Sequence, residues 1–278
     1  MAAAVLLMAV AMTMIPLGDT AGKLLIQQHG MAPVFVAWAR FALGTALAAA
    51  IVFGSGAGLA PLRDWRSYLR GAFIVGTIVC MLTAVATEPI ATVFAAFFIG
   101  PLLSYLLSVL FLGESVGPRR TALLVLGFAG VLLAVRPGFG MTPGLGFAVL
   151  AGVFYGCYLT ASRWLSGRGS PQTLLLAQLA LGFVVLGPPG LAAWPEGDWA
   201  WGPLAVSGGA SFLGNLLLLA AYRLMPATRL APFIYFQLVA ATALGAAVFG
   251  EWPDGPTLAG IGLLLATGFA SLALRRDR

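Results

Sequence analysis

The chain has 278 residues, of which 60% are hydrophobic and only 9% charged, and its net charge is +6. A soluble domain carries roughly 25% charged residues, and a disordered chain combines low hydrophobicity with high net charge, so both classes are excluded. Ten apolar segments of about 20 residues would use about 200 positions and leave about seven for each loop or end. That describes an all-α integral membrane protein with no extramembrane domain.

Charges and Pro/Gly clusters cut the chain into ten predicted spans: 3–25, 33–54, 67–86, 90–112, 118–136, 143–164, 171–193, 201–222, 227–250 and 256–274. The first follows Met1-Ala-Ala-Ala-Val, which lacks the basic n-region of a secretory signal, and it is expected to remain as a helix. Late in it stand Asp19 and Lys23, at i and i+4 and so able to pair on one face. Gly18 and Gly22 permit close helix approach. Arg40 lies within the second span, where a permanent guanidinium must find a carboxylate or carbonyl, and Asp19 is the obvious partner. The third span carries Thr77, Cys80, Thr83 and Thr87 at near-helical spacing, and the fourth shows Phe94, Phe98, Pro101 and Tyr105 along one stripe. The sixth adds Tyr155, Tyr158 and Ser162, the eighth places Ser207, Ser211 and Asn215 at i, i+4 and i+8, and the ninth presents Phe233 and Gln237.

Two readings of these polar and aromatic positions stand side by side. They line a cavity, or they pack helices together, where an interhelical hydrogen bond contributes about 0.6 kcal/mol. Pro101 and Pro232 each remove a backbone hydrogen bond and free a carbonyl, an interruption at which a helix can bend.

The loop charges are lopsided. The side holding both ends has Arg63, Arg66, Arg70, Arg119, Arg120, Arg163, Arg168, Arg223, Arg229, Arg275, Arg276 and Arg278, whereas the opposite side has Lys23 and Arg136. Twelve against two places both termini in the cytoplasm. Basic residues spread between apolar runs in this way serve topology and leave no patch for nucleic acid.

A shift of about 138 residues exposes an internal repeat. Ala91-Thr92-Val93-Phe94-Ala95-Ala96-Phe97-Phe98 is similar to Ala227-Thr228-Arg229-Leu230-Ala231-Pro232-Phe233-Ile234, and each runs on to an acidic stop, Leu112-Gly113-Glu114 or Phe249-Gly250-Glu251. Lys23 answers Arg163, Pro33 answers Pro171, and Thr77 answers Asn215. The division predicts five spans in 1–138 and five in 139–278. An odd number makes the second half enter the membrane with opposite polarity, the architecture of secondary transporters.

These halves resemble the two EamA-type repeats of the drug/metabolite transporter superfamily. The resemblance rests on Asp19-x-x-x-Lys23, Arg40, Glu88-Pro89, the run from Pro101 to Glu114, and its echo from Pro232-Phe233 to Glu251, in order and in duplicate. It covers 3–136 and 143–274 and is nearest to bacterial amino-acid and metabolite exporters, including the aromatic amino-acid exporter type. It implies ten helices in the bacterial inner membrane, a central cavity lined by spans 1, 3, 4, 6, 8 and 9, and spans 5 and 10 packed outside. The first span departs from the family: it reads Pro16-Leu17-Gly18-Asp19 where members commonly have a Trp-Gly-x-x-Phe entry.

Other chemistries find little support. The single histidine, His29, falls in a predicted loop, and there is no His-Glu-x-x-His pair for zinc. Gly209-Ala210-Ser211-Phe212-Leu213 has no helical histidine to serve as base, so no enzyme, cofactor or metal is expected. Cys80 and Cys157 sit in apolar runs and read as packing residues. A passive channel is the alternative from another class, but no ring of like charges or repeated carbonyls forms a filter. The expected lining is aromatic and neutral-polar. It suits a neutral or zwitterionic amphipathic metabolite such as an amino acid, carried by alternating access through a unit that functions as a monomer. Facilitated diffusion and proton antiport through Asp19 remain the two coupling schemes.

Overall fold

The computed structural model describes residues 2–113, 117–136, 141–165, 169–196, 200–225 and 230–273. Glu114, the Ala227-Thr228-Arg229 segment, Arg168, Asp198, Arg275, Arg276 and Arg278 lie outside the described residues. The described residues fold as α1 (Ala2–His29), α2 (Pro33–Ser55), α3 (Trp65–Thr87), α4 (Ile90–Phe97), α5 (Ile99–Leu112), α6 (Pro118–Val135), α7 (Pro143–Trp164), α8 (Pro171–Val185), α9 (Gly187–Ala192), α10 (Trp201–Leu224), α11 (Phe236–Leu244) and α12 (Gly255–Ala273). Among the described residues, six helical stretches are long and apolar enough to cross a membrane: Ala3–His29, Pro33–Ser55, Trp65–Thr87, Ile90–Leu112, Pro143–Trp164 and Trp201–Ala221. Four shorter apolar stretches accompany them, Thr121–Val135, Pro171–Val185, Phe233–Phe249 and Gly255–Ala270.

Helix ends follow local chemistry. Pro33, Pro118, Pro143 and Pro171 open helices at the position where a missing N–H costs nothing. Asp64, Thr142, Ser170 and Asp254 accept from backbone N–H groups of the following turn. Gly56 and Gly113 close α2 and α5 in the left-handed conformation, with φ of 63° and 68°.

Three departures from the predicted spans have physical causes. The fourth span is two helices that meet at Phe98. Pro101 lacks the N–H that would bond the Phe97 carbonyl four residues back. That carbonyl instead faces α7, where a Cβ on Gly152 would meet it at 2.7 Å, so only glycine admits this approach. The seventh span breaks at Leu186, ahead of Pro188-Pro189, into α8 and α9. The ninth is a 3-10 turn (Ala231–Tyr235), then α11, then a π turn (Gly245–Phe249).

The main packing partners are α1 with α10, α3 with α7, α6 with α12, α5 with α7, and α2 with α8. Exchanging α1 with α7 and α3 with α10 maps the first two pairs onto each other. Small residues make the crossings close. Gly130 of α6 and Gly260 of α12 each lie against the other's carbonyl. A Cβ on Gly214 of α10 would meet the Ala11 carbonyl of α1 at 3.2 Å. Large apolar side chains such as Leu6, Phe53, Leu110, Phe111 and Val184 remain exposed around the outside, where a bilayer would solvate them.

Candidate functional site

Arg40 is the centre of a buried network that joins α1, α2 and α10. Its Nη1 donates to Asp19 Oδ1 at 2.7 Å, its Nε to Ser207 Oγ at 2.7 Å, and its Nη2 to the Gly18 carbonyl. Ser207 donates in turn to the Gly18 carbonyl at 3.1 Å. The Arg40 and Asp19 side chains are 5% and 8% exposed. The small residues predicted to let helices approach do so here. A Cβ on Gly22 would strike the guanidinium, and one on Gly18 would strike Ser211 Oγ. With Asp19 committed to Arg40, the i, i+4 pairing of Asp19 with Lys23 predicted from spacing does not form.

Lys23 turns to a partner in the other half. Fully buried, it donates to Glu251 and, at 2.9 Å, to the Glu88 carbonyl, which closes α3. The other Glu251 oxygen accepts from the Ile90 N–H at 3.2 Å, at the start of α4. The Phe249 ring lies 4.8 Å from the ammonium. At the same end, Thr142 donates to Glu88 and Arg136 pairs with Asp254. Thr257, which hydrogen-bonds the Asp254 carboxylate, and Arg136 beside it hold that exposed carboxyl below the usual range.

A set of aromatic rings runs along α4 and α7. Phe94 contacts Phe97, which lies 4.7 Å from Tyr155, and Tyr155 stacks on Tyr158 at 5.9 Å. Phe98 stacks at 5.0 Å on Tyr235, which ends the 3-10 turn. The ladder ends on Arg70 of α3, whose guanidinium lies over Tyr158 and donates to Tyr158 Oη at 2.6 Å and Ser162 Oγ at 2.7 Å.

The remaining predicted positions divide by what holds them. Phe94 and Phe98 are fully buried, and Gln237 is buried on α11. Thr77 and Thr83 donate to carbonyls of their own helix, those of Phe73 and Val79, and Cys80 is buried beside them. Ser207 is buried within the Arg40 network, while Asn215 donates to the Ser211 carbonyl at 2.8 Å. Pro101 and Tyr105 are half-buried on α5, and Phe233 stacks on Phe236. Sequence reasoning omitted Phe97, Tyr235, Arg70 and the role of Glu251. No group of three His, Cys, Asp or Glu side chains gathers to hold a metal among the described residues.

A polytopic helical membrane protein with ion pairs buried between its helices is what this arrangement defines. The EamA-like transporter family description matches residues 2–136 and again 142–272. The chain belongs to that family, within the drug/metabolite transporter superfamily, and is a multi-pass membrane transporter. It is 30% identical over 247 residues to the pseudopaline exporter CntI of Pseudomonas aeruginosa, covering 86% of this chain and 84% of the exporter. It is 26% identical over 234 residues to an S-adenosylmethionine uptake transporter of Rickettsia felis, covering 83% and 79% respectively. A riboflavin transporter of Rhizobium johnstonii is 28% identical over 230 residues, covering 79% and 74%. One crystal structure shares the fold with a TM-score of 0.68 at 20% identity, covering 98% of this chain and 99% of the other.

Proposed function

We propose that this protein exports amino acids or similar small amphipathic metabolites across a bacterial inner membrane by alternating access. The chain crosses the bilayer ten times as two inverted five-helix repeats, 1–138 and 139–278, with both ends in the cytoplasm. The double family match and the exchange of packing partners between halves support the repeat, and the arginine bias supports the orientation. The cargo reading is carried by one observation, the aromatic ladder that spans α4, α7 and the 3-10 turn. Rings hold an apolar or aromatic side chain, and the Asn215, Gln237 and threonine groups meet a zwitterionic end. Relatives named for S-adenosylmethionine, riboflavin and pseudopaline fit cargo of this size class. Facilitated transport is favoured over proton antiport because Asp19 is neutralised by Arg40. Pockets of this kind separate similar side chains poorly, so several amino acids should share the pathway at low affinity.

The test is a screen of radiolabelled amino acids in proteoliposomes, with S-adenosylmethionine and riboflavin as comparators. Unlabelled cargo on the far side should accelerate exchange, which a channel does not show. High-affinity transport of a sugar phosphate with no exchange of amino acids would overturn this reading.

A further inference from the structure

Two helix groups pack against each other, and the aromatic ladder lies in the second apart from Tyr235. One holds α1, α10 and the segment from Ala231 through α11, and the other holds α3, α4, α5 and α7. Polar bonds between the groups cluster at one end of the molecule. There Lys23, paired with Glu251 inside the first group, donates to the Glu88 carbonyl, Glu251 accepts from the Ile90 N–H, and Gln27 donates to the Ala86 carbonyl at 3.0 Å. At the opposite end, bonds among the described residues join members of one group or run to α8. Arg70 binds Tyr158 and Ser162, Arg163 donates to Ser108 at 2.7 Å, and Thr160 donates to Ser104 at 3.2 Å. The apolar packing there is also internal, with Ala4, Met8 and Met12 of α1 against Ala221, Met225 and Leu230.

We propose that the Lys23–Glu251 pair, bonded to the Glu88 carbonyl and the Ile90 N–H of the second group, is a latch that holds the pathway shut at the Lys23 end, and that the π turn Gly245–Phe249 is the joint that releases it. The ammonium is fully buried, whereas the Glu251 side chain is 25% exposed, so the bond sits at the edge of water and can exchange its partners for solvent as the helices part. The π turn feeds directly into Gly250 (φ 67°) and Glu251, whose own N–H bonds the Gly245 carbonyl. A π segment is a local under-wound register that a helix can relax, and relaxing this one would withdraw Glu251 from Lys23 and Ile90 together. Lys23 and Glu251 are therefore positioning residues: they select which mouth is open and do not touch cargo.

The inference rests on the transporter reading, but its readout is a distance and needs no cargo, so the two can fail separately. Spin labels are placed on the full chain in nanodiscs, with Cys80 and Cys157 replaced by alanine and this parent measured alongside. One pair, Gln28→Cys and Met141→Cys, reports the Lys23 end, and the other, Leu6→Cys and Leu110→Cys, the opposite end; all four positions are exposed. Lys23→Met with Glu251→Gln should raise the ratio of parted to joined Lys23 ends by roughly tenfold, a usual size for coupling between sites. The Leu6–Leu110 distance should shorten in the same population. Lys23→Arg keeps donors for both Glu251 and the Glu88 carbonyl and should keep the joined distribution, and the melting of each variant is measured alongside so that a neutral variant that merely folds poorly is recognised. Unchanged distances at both ends in a well-folded neutral variant, or loosening at both ends together, would overturn the latch.

Discussion

Replacing Arg40 with methionine tests the central network most directly. The change removes one charge and three donors from a site where Asp19 is 8% exposed and Ser207 is fully buried. Breaking one partner out of a buried pair costs about 3–5 kcal/mol, because the remaining charge has no counter-charge. At about 2–4 °C per kcal/mol for a chain of this length class, the melting temperature should fall by roughly 6–20 °C. Fluorescence-detected gel filtration of heated, detergent-solubilised protein measures this. Arg40→Met with Asp19→Asn removes both charges and should recover at least half of the loss. Arg40→Lys should fall between, since one ammonium cannot serve Asp19, Ser207 and Gly18 at once. A single mutant that melts within about 2 °C of wild type, or a double mutant no better than the single, would refute the reasoning.

Gly130→Leu forces a side chain into the Gly260 carbonyl and should separate α6 from α12, lowering stability by about 1–3 kcal/mol; unaltered melting would show that this crossing has slack. Gln237→Ala and Asn215→Ala should reduce exchange in proteoliposomes at unchanged expression, and full activity in both would remove them from the pathway. Asp254, held below its usual range chiefly by Thr257, stabilises the fold above about pH 4 and loses that contribution as pH falls through its depressed value. Asp254→Asn should therefore be less stable than wild type at pH 7, with the gap closing below about pH 4; a gap that widened on acidification would contradict the sign.

The helices were legible because apolar runs punctuated by proline, glycine and capping residues leave little choice in a bilayer. The Arg40–Asp19 pair was legible because a guanidinium in an apolar segment has few places to go. Lys23 shows the limit. Spacing of i, i+4 proposes Asp19, yet a partner 228 residues away wins, because Asp19 serves a stronger competitor and folding brings Glu251 to the end of α1. Arg70 reads as one of twelve topology charges, and nothing local reveals that its guanidinium caps a line of tyrosines from α7. The joint at Phe98 was foreshadowed by Pro101, whereas the π turn before Glu251 has no proline to announce it.

The order of residues in the Arg40 network has a consequence for how the protein is made. An arginine at mid-helix costs about 2.5–3.5 kcal/mol when a segment partitions into lipid. Asp19 is synthesised 21 residues earlier, so the first two helices can enter the bilayer as a hairpin that already carries its own counter-charge. Ser207 arrives 167 residues later, after most of the chain has left the ribosome, and finds the guanidinium occupied and oriented. Lys23 waits longer still for Glu251, but it stands within two turns of the end of α1, where its stem can lift the ammonium toward water until the last hairpin is inserted. The costly charge is matched early and the one near the surface is matched last, so no intermediate in biosynthesis has to hold an unpaired charge at the centre of the membrane.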